Sequence, residues 1–371
     1  MNQSFDLGFL GGGQLARMSI QAAQRMGLSC LSLDPDENSP ASQVSQSISG
    51  SLDDPARIAE IIRRCDRVTF ENEFVPIGAV REALREANKA EEMFCPSLEA
   101  LETVQDKLLQ RKAYERAGVS VPRAAPIPEG AASEGLGFEL PIVLKSRFGG
   151  YDGKGTRTIR DQGELSAQSP VWSNGGWMAE EFVPFRRELA QMVLVFSGGV
   201  RAFPTMVSVQ VDHVCDHVFP ADTNATEVAV AAAEAIGGPG LFGVEMFEMD
   251  DGRILVNEIA PRPHNSGHFT LDWGGISQFE AHVRVAMGLP VAEPRGGDVC
   301  MANLLGIENA GDHKNGMRAA MEDPDVRVHW YGKSHARPGR KMGHLNVPGE
   351  NCVLRALDAR ERFFAAWRGG S

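Results

Sequence analysis

Asp251-Gly252 is the strongest local constraint on how this chain folds. It lies between two runs that read as strands, Phe-Gly-Val-Glu-Met-Phe-Glu-Met over 242–249 and Arg-Ile-Leu-Val-Asn-Glu-Ile over 253–259. An Asp-Gly pair between such runs signals a two-residue hairpin turn, whose backbone needs positive φ. With Asp251 and Gly252 as the loop, Asp250 pairs with Arg253 and Glu245 falls opposite Glu258. Side chains alternate between faces along a strand. The spacing therefore predicts Glu245 on one face with Phe247, Met249, Ile254 and Val256, an apolar set expected to point inward.

Two carboxylates opposed on an inward face repel each other, and burying either one unpaired is costly. A divalent cation removes both penalties. Acidic oxygens beside the amide of Asn257 suit a hard ion such as Mg²⁺, which keeps waters and bridges to phosphates; Mn²⁺ is the alternative. Two other arrangements need no metal. A one-residue slip would send one acid to the other face, or each acid could pair with its own base.

The rest of the chain reads as alternating elements. A strand over 5–10 leads into Gly11-Gly12-Gly13, a helix over 14–26 ending at Gly27, and a strand over 29–33 that runs into Asp34. This β–glycine turn–α–β unit opens a doubly wound parallel domain. Asp53-Asp54-Pro55 starts a helix to about residue 64. A strand over 67–70 follows, then the acidic run Glu71-Asn72-Glu73, a helix over 77–90 and a short strand near 93–95. Residues 97–118 read as one helix from a Ser97 cap, and 121–137 as a connection. Strands are predicted over 141–145, 177–182 and 187–196, and a helix over 276–288. A last block of strands holds Tyr331-Gly332-Lys333 and the run from Arg337 to His344. The fold class is α/β, with α+β character in the middle. The boundaries are 1–96 for a Rossmann-like unit, 97–290 for a central domain with a small lid at about 121–185, and 291–371 for a small β-rich C-terminal domain.

Composition excludes several classes. At 371 residues and a formal net charge of −12, the chain has no general basic surface for nucleic acid. No apolar run approaches the roughly 20 residues needed to span a bilayer, and the N-terminus lacks a basic signal region. The six cysteines have no CxxC spacing, so buried free thiols in a reducing cytoplasm are expected.

Several motifs carry chemistry. Gly11-x-Gly13-x-x-Ala16 with Asp34 approximates a dinucleotide fingerprint, which would make the protein an NAD-dependent oxidoreductase. The same turn could instead offer its amides to a phosphate of another ligand. The loop Arg147-Phe148-Gly149-Gly150-Tyr151-Asp152-Gly153-Lys154-Gly155-Thr156 can close over a polyphosphate, with Lys145 and Lys154 offsetting its charge. Glu180-Glu181-Phe182-Val183 and Glu188 could form a hinge strand for a purine and ribose, or an ordinary strand with exposed acids. Lys333, Arg340 and Lys341 suit a phosphate monoester, or a solvated turn. His264 and His268 sit four apart in a Pro/Gly-broken segment, which favours hydrogen bonding over zinc ligation.

Five stretches together resemble the ATP-grasp superfamily and, within it, the 5-(carboxyamino)imidazole ribonucleotide synthetases of purine biosynthesis. They are Gly12 to Met18, Thr69 to Pro76, Gly149 to Gly155, Asn257 to His268, and Tyr331 through His344. The resemblance implies an ATP-dependent ligase that joins bicarbonate to the amine of aminoimidazole ribonucleotide through carboxyphosphate. Lys107, Lys145, Gly150 to Thr156, Glu180 to Val183, Glu188, Gln210, Asn257 and Glu258 would hold ATP. Glu245 and Glu258 would hold Mg²⁺. Arg262, His264, Asn265 and Ser266 would bind bicarbonate and carboxyphosphate. Gln14, Leu15, Glu73, Tyr151, Asp152, Lys333, Arg340 and Lys341 would bind the ribonucleotide, with Asp152 taking the amine proton. Another ATP-grasp carboxylate–amine ligase is the alternative. A cytoplasmic homodimer is what the family suggests.

Overall fold

The computed structural model describes residues 4–131, 136–150, 155–172 and 175–368. Tyr151, Asp152, Gly153 and Lys154 lie outside the described residues.

Near-continuous apolar runs flanked by helices build a parallel sheet covered on both faces. Its strands are β1 (Phe5–Leu10), β2 (Cys30–Asp34), β3 (Gln46–Ser49), β4 (Cys65–Phe70) and β5 (Phe94–Cys95), in the order β3-β2-β1-β4-β5. Helices α1 (Gln14–Arg25), α2 (Pro55–Arg64) and α3 (Ile77–Ala87) connect them. Asp54 caps α2 by accepting from the Ala56 amide at 2.9 Å, with Pro55 at the first helical position. Strand β3 has no apolar run to announce it, since Ile48 is its one buried residue. The carboxyl ends of β1, β2 and β4 bring the glycine turn, Asp34 and the acidic run of 71–73 to one edge of the sheet.

The helix expected over 97–118 is two helices, α4 (Leu98–Gln105) and α5 (Lys107–Arg116). The break falls at Asp106, whose backbone is extended and whose carboxylate accepts from the Leu108 amide at 2.9 Å. A side chain that bonds the backbone ahead of it favours a cap over a helix interior. Arg147 donates to the same carboxylate.

A four-stranded antiparallel sheet follows: β6 (Ala124–Pro126), β7 (Ile142–Ser146), β8 (Thr156–Ile159) and β9 (Trp177–Glu181), in the order β6-β9-β7-β8, with α6 (Gln162–Trp172). Its core gathers Ile142, Leu144, Ile159 and Trp172. The largest sheet holds β10 (Arg187–Phe196), β11 (Gly199–Ala202), β12 (Met206–Val211), β13 (Val214–Pro220), β14 (Gly240–Glu248), β15 (Ile254–Ala260), β16 (Val299–Leu305), β17 (Arg327–Trp330) and β18 (Lys341–Pro348). The order is β15-β14-β10-β12-β13-β16-β18-β17, with β11 on β10. The C-terminal strands thus continue the central sheet through the β13–β16 pairing. Helices α7 (Thr226–Ile236), α8 (Gln278–Ala286), α9 (His313–Ala320) and α10 (Cys352–Arg368) complete the chain.

The β14–β15 hairpin corrects the sequence reading in two places. The loop has three residues, Asp250 to Gly252, with Met249 N donating to Arg253 O at 2.8 Å and Gly252 N to Met249 O at 3.0 Å. A bulge between Met246 and Glu245 then shifts the register back, because Met246 pairs with Val256 while Glu245 pairs with Glu258. Asn257 is the extra residue. The two departures cancel, and the acids still oppose each other. The face assignment does not survive. Val256 and Ile254 lie with Val244 and Met246 in the core against α7, whereas Glu245 and Phe247 line the half-buried side.

All six cysteines are buried and free. Among the described residues no helix is long and apolar enough to cross a membrane.

Candidate functional site

The glycine turn that suggested a dinucleotide is filled by the chain's own acids. Gly12 N donates to Asp34 Oδ2 at 2.6 Å, and Leu15 N donates to Glu71 Oε1 at 3.4 Å. A Cβ on Gly13 would stand 2.2 Å from Glu71 Oε1. The anion-binding end of α1 therefore holds the Glu71 carboxylate. Burial pushes Glu71 above the usual carboxylate range, partly offset by Arg262. Both Asp34 oxygens are taken by backbone amides, Oδ2 by Gly12 N and Oδ1 by Asp36 N. The oxidoreductase reading fails on this geometry. Leu15 buries its side chain against Met18, Phe279 and Tyr331, leaving Gln14 half-buried at the turn's mouth.

The β14–β15 hairpin and the four-stranded sheet meet at a buried charge network. Glu180, 2 % exposed at the end of β9, takes Arg111 on Oε1 at 2.5 Å and Lys145 on Oε2 at 2.6 Å. Lys145 Nζ also donates to Asn257 Oδ1 at 3.0 Å. Burial lowers Lys145 most, with Glu180 opposing. Burial raises Glu180, but Arg111 and Lys145 outweigh it and keep the carboxyl ionised. Glu181 turns away, accepting from the Arg123 amide at 2.9 Å, while Phe182 is exposed and Val183 buried at the strand's end. Glu188 on β10 is pushed up to about 7 by burial, with Lys145 opposing. Gln210 on β12 donates to Ser208 Oγ at 2.9 Å. Gly150, Gly155 and Thr156 stand where β7 meets β8: Thr156 pairs with Lys145, and Ser146 N donates to Gly155 O at 2.8 Å.

Lys107, at the start of α5, donates to Glu258 Oε1 at 2.5 Å. Burial raises Glu258, yet Lys107 outweighs it and holds the carboxyl below the usual range. Among the described residues Glu245 has no such partner. His264 Nε2 lies 3.6 Å from its Oε1, and burial with the Arg262 and Lys341 charges drives His264 down to about 3, so that ring is neutral. Burial, Glu258 and Glu188 push Glu245 up to about 8, against Lys341 and Lys107. An acid held protonated opposite an ionised one is the donor set a divalent cation fits, since the cation would supply the missing charge. Among the described residues no cluster of three or more His, Cys, Asp or Glu forms a metal cage. An Mg²⁺ that keeps waters and bridges to phosphates does not need one.

Beyond the hairpin, Arg262 forks onto Glu73 through two hydrogen bonds, the Nη2–Oε1 one at 2.8 Å. This pair ties the N-terminal acidic run to the central sheet. Ser266 N donates to His264 Nδ1 at 3.4 Å and Ser266 Oγ lies 2.8 Å from the same nitrogen. With Nδ1 accepting, the ring proton sits on Nε2, facing Glu245. Asn265 turns inward and exchanges two hydrogen bonds with Asn303, at 3.0 and 2.7 Å. His268 is fully buried beside Phe279, Tyr331 and His344. The C-terminal loop meets the N-terminal unit. Gln43 Nε2 donates to Gly332 O at 2.6 Å, Lys333 Nζ to Lys341 O at 2.7 Å, and Arg340 Nη1 to His335 O at 2.9 Å. Asp36 acts on Arg340, and Lys341 acts on both Glu245 and His264.

Three residues outside the sequence reading join this site: Arg111, Asn303 and Gln278. Gln278 accepts from His264 N at 2.9 Å and donates to His264 O at 2.8 Å. None belongs to a local motif. Only Arg111, four residues after Lys107 on one helix, had a spacing that could have pointed to it.

Three family models match successive parts of the chain. The ribonucleotide synthetase preATP-grasp domain matches residues 5–105, the ATP-grasp domain residues 112–279, and the phosphoribosylaminoimidazole carboxylase C-terminal domain residues 299–355. The N5-carboxyaminoimidazole ribonucleotide synthase of Synechococcus elongatus is 38% identical over 375 residues, covering 95% of this chain and 92% of the relative. The phosphoribosylaminoimidazole carboxylase of Ogataea methanolica is also 38% identical, over 93% of this chain, but the chain spans only 66% of that protein's length. A crystal structure of N5-carboxyaminoimidazole synthase from Aspergillus clavatus, in complex with ADP and 5-aminoimidazole ribonucleotide, superimposes with a TM-score of 0.86 at 32% identity. That match covers 98% of this chain and 99% of the other.

Proposed function

The chain belongs to the N5-carboxyaminoimidazole ribonucleotide synthase family of ATP-grasp ligases, and we propose that it carboxylates the amine of 5-aminoimidazole ribonucleotide with bicarbonate, driven by ATP. In this reading a bicarbonate oxygen attacks the γ-phosphorus and ADP leaves. The amine nitrogen then attacks the carboxyl carbon of carboxyphosphate. Phosphate departs with the bridging oxygen, and the amine proton is lost to a base, for which Asp152 stays our candidate.

The observation that carries the proposal is Glu245 opposite Glu258, with Lys107 on Glu258. Together they would hold Mg²⁺, which when bound offsets the charge of the ATP phosphates. Lys145 stands beside Asn257 to meet a phosphate oxygen, and Glu180 and Arg111 hold it there. Arg262 and the Nε2–H of His264 supply fixed donors where negative charge develops, a role for which preorganised dipoles are effective. Lys333, Arg340 and Lys341 take the ribonucleotide phosphate from the C-terminal side, with Gln14 and Glu73 on the other. The bicarbonate, the metal, a cytoplasmic homodimer and the units 1–96, 97–290 and 291–371 are parts of the same proposal, supported by the resemblance.

Phosphate release from ATP and Mg²⁺ tests it. The expected result is slow release alone and strong stimulation when bicarbonate and aminoimidazole ribonucleotide are both present. Stimulation by a different amine, with none by this ribonucleotide, would favour another ATP-grasp carboxylate–amine ligase.

A further inference from the structure

The bulge at Asn257 decides where Glu258 points, and one side chain grips it. In a regular strand successive carbonyls point to opposite edges, so a single group cannot receive two in a row. At the bulge both turn the same way. Arg111 Nη1 donates to Val256 O at 3.3 Å and Arg111 Nη2 to Asn257 O at 2.8 Å. The outer edge of β15 is met there by α5 and by Ser120, whose carbonyl accepts from Val256 N at 2.9 Å. The same guanidinium binds Glu180, which in turn holds Lys145, and Lys145 binds the side chain of Asn257. The extra residue is thus held by its carbonyl from Arg111 and by its amide from Lys145.

We propose that Arg111 is a positioning residue that fixes the Asn257 bulge and so keeps Glu258 facing Glu245 for a divalent cation. A three-residue loop without the bulge would set Glu245 opposite Asn257 and send Glu258 to the other face, because a one-residue shift exchanges faces. Bulges near active sites re-aim side chains in this way. The planar fork of arginine spans two carbonyls and a carboxylate at once, which a lysine ammonium cannot do at the same points. This inference rests on the metal reading of Glu245 and Glu258 given above.

The test uses Arg111→Lys, which keeps a counter-charge for Glu180, alongside Arg111→Met and Glu245→Gln. Mn²⁺ binding to each full chain in the presence of ADP is followed by electron paramagnetic resonance, and backbone hydrogen exchange over residues 254–260 is measured on the same samples. Arg111→Lys is expected to weaken Mn²⁺ binding at least about tenfold, equivalent to about 1.4 kcal/mol, and to speed exchange over 254–260. Arg111→Met is expected to do more of both. A folded Arg111→Lys protein with unchanged Mn²⁺ affinity and unchanged exchange would overturn the proposal. Glu245→Gln separates it from the reading beneath. If that variant binds Mn²⁺ as the parent does, the metal assignment falls, and exchange over 254–260 alone then decides whether Arg111 holds the bulge.

Discussion

Glu245 stands opposite Glu258 across the β14–β15 ladder, yet Lys107 neutralises only Glu258. Burial, Glu258 and Glu188 push the Glu245 carboxyl up to about 8, against Lys341 and Lys107, and the neutral His264 adds no offsetting charge. Its folded pKa lies above the unfolded value near 4.3, so between those limits the folded chain binds more protons than the unfolded one. Stability then falls as pH rises. Metal-free protein should lose melting temperature between about pH 5 and pH 8, and Glu245→Gln should flatten part of that decline. Melts across this range check it, and an equal slope in the variant would refute the assignment.

Removing Glu180 leaves Arg111 and Lys145 facing each other in the interior without a counter-ion. Breaking a buried ion pair from one side costs about 3–5 kcal/mol. Glu180→Ala should fall in that range in urea unfolding. Arg63→Ala, which removes a pair whose members are each about half exposed, should change stability little.

Arg262 and Glu73 are each only 15% exposed and join the N-terminal unit to the central sheet. Arg262→Met should destabilise the fold by a similar amount, because Glu73 is left unpaired. Adding Glu73→Gln should recover part of the stability and none of the activity. Additive losses in the double variant would show that the two side chains act separately.

The sequence was informative where the signal is local. Asp251-Gly252 announced the turn, Pro55 and Asp54 the start of α2, and the glycine turn the first parallel unit. It was blind where the cause lies elsewhere in the chain. The two-residue loop was off by one because Asp-Gly specifies a turn, not its length. The bulge that restored the register depends on Arg111, 146 positions from Asn257. Glu71 read as one acid in a run, since only the folded sheet brings its carboxylate to Gly13. The residues sharing the face of Glu245 were misassigned for the same reason: the three-residue loop sets Val256 opposite Met246, and alternation alone cannot register the bulge that brings Glu258 back. Gln278 and Asn303 sit in segments of ordinary composition, and their amides matter only because they satisfy the buried segment that carries His264 and Asn265.

In the proposed reaction bicarbonate, not the ribonucleotide, attacks ATP beside the Glu245–Glu258 pair. Turnover with ¹⁸O-bicarbonate, followed by mass analysis of the phosphate released, tests it most directly. One ¹⁸O should pass from bicarbonate into each phosphate released during carboxylation. Phosphate formed during carboxylation without ¹⁸O would contradict a carboxyphosphate route and the site built here to hold it.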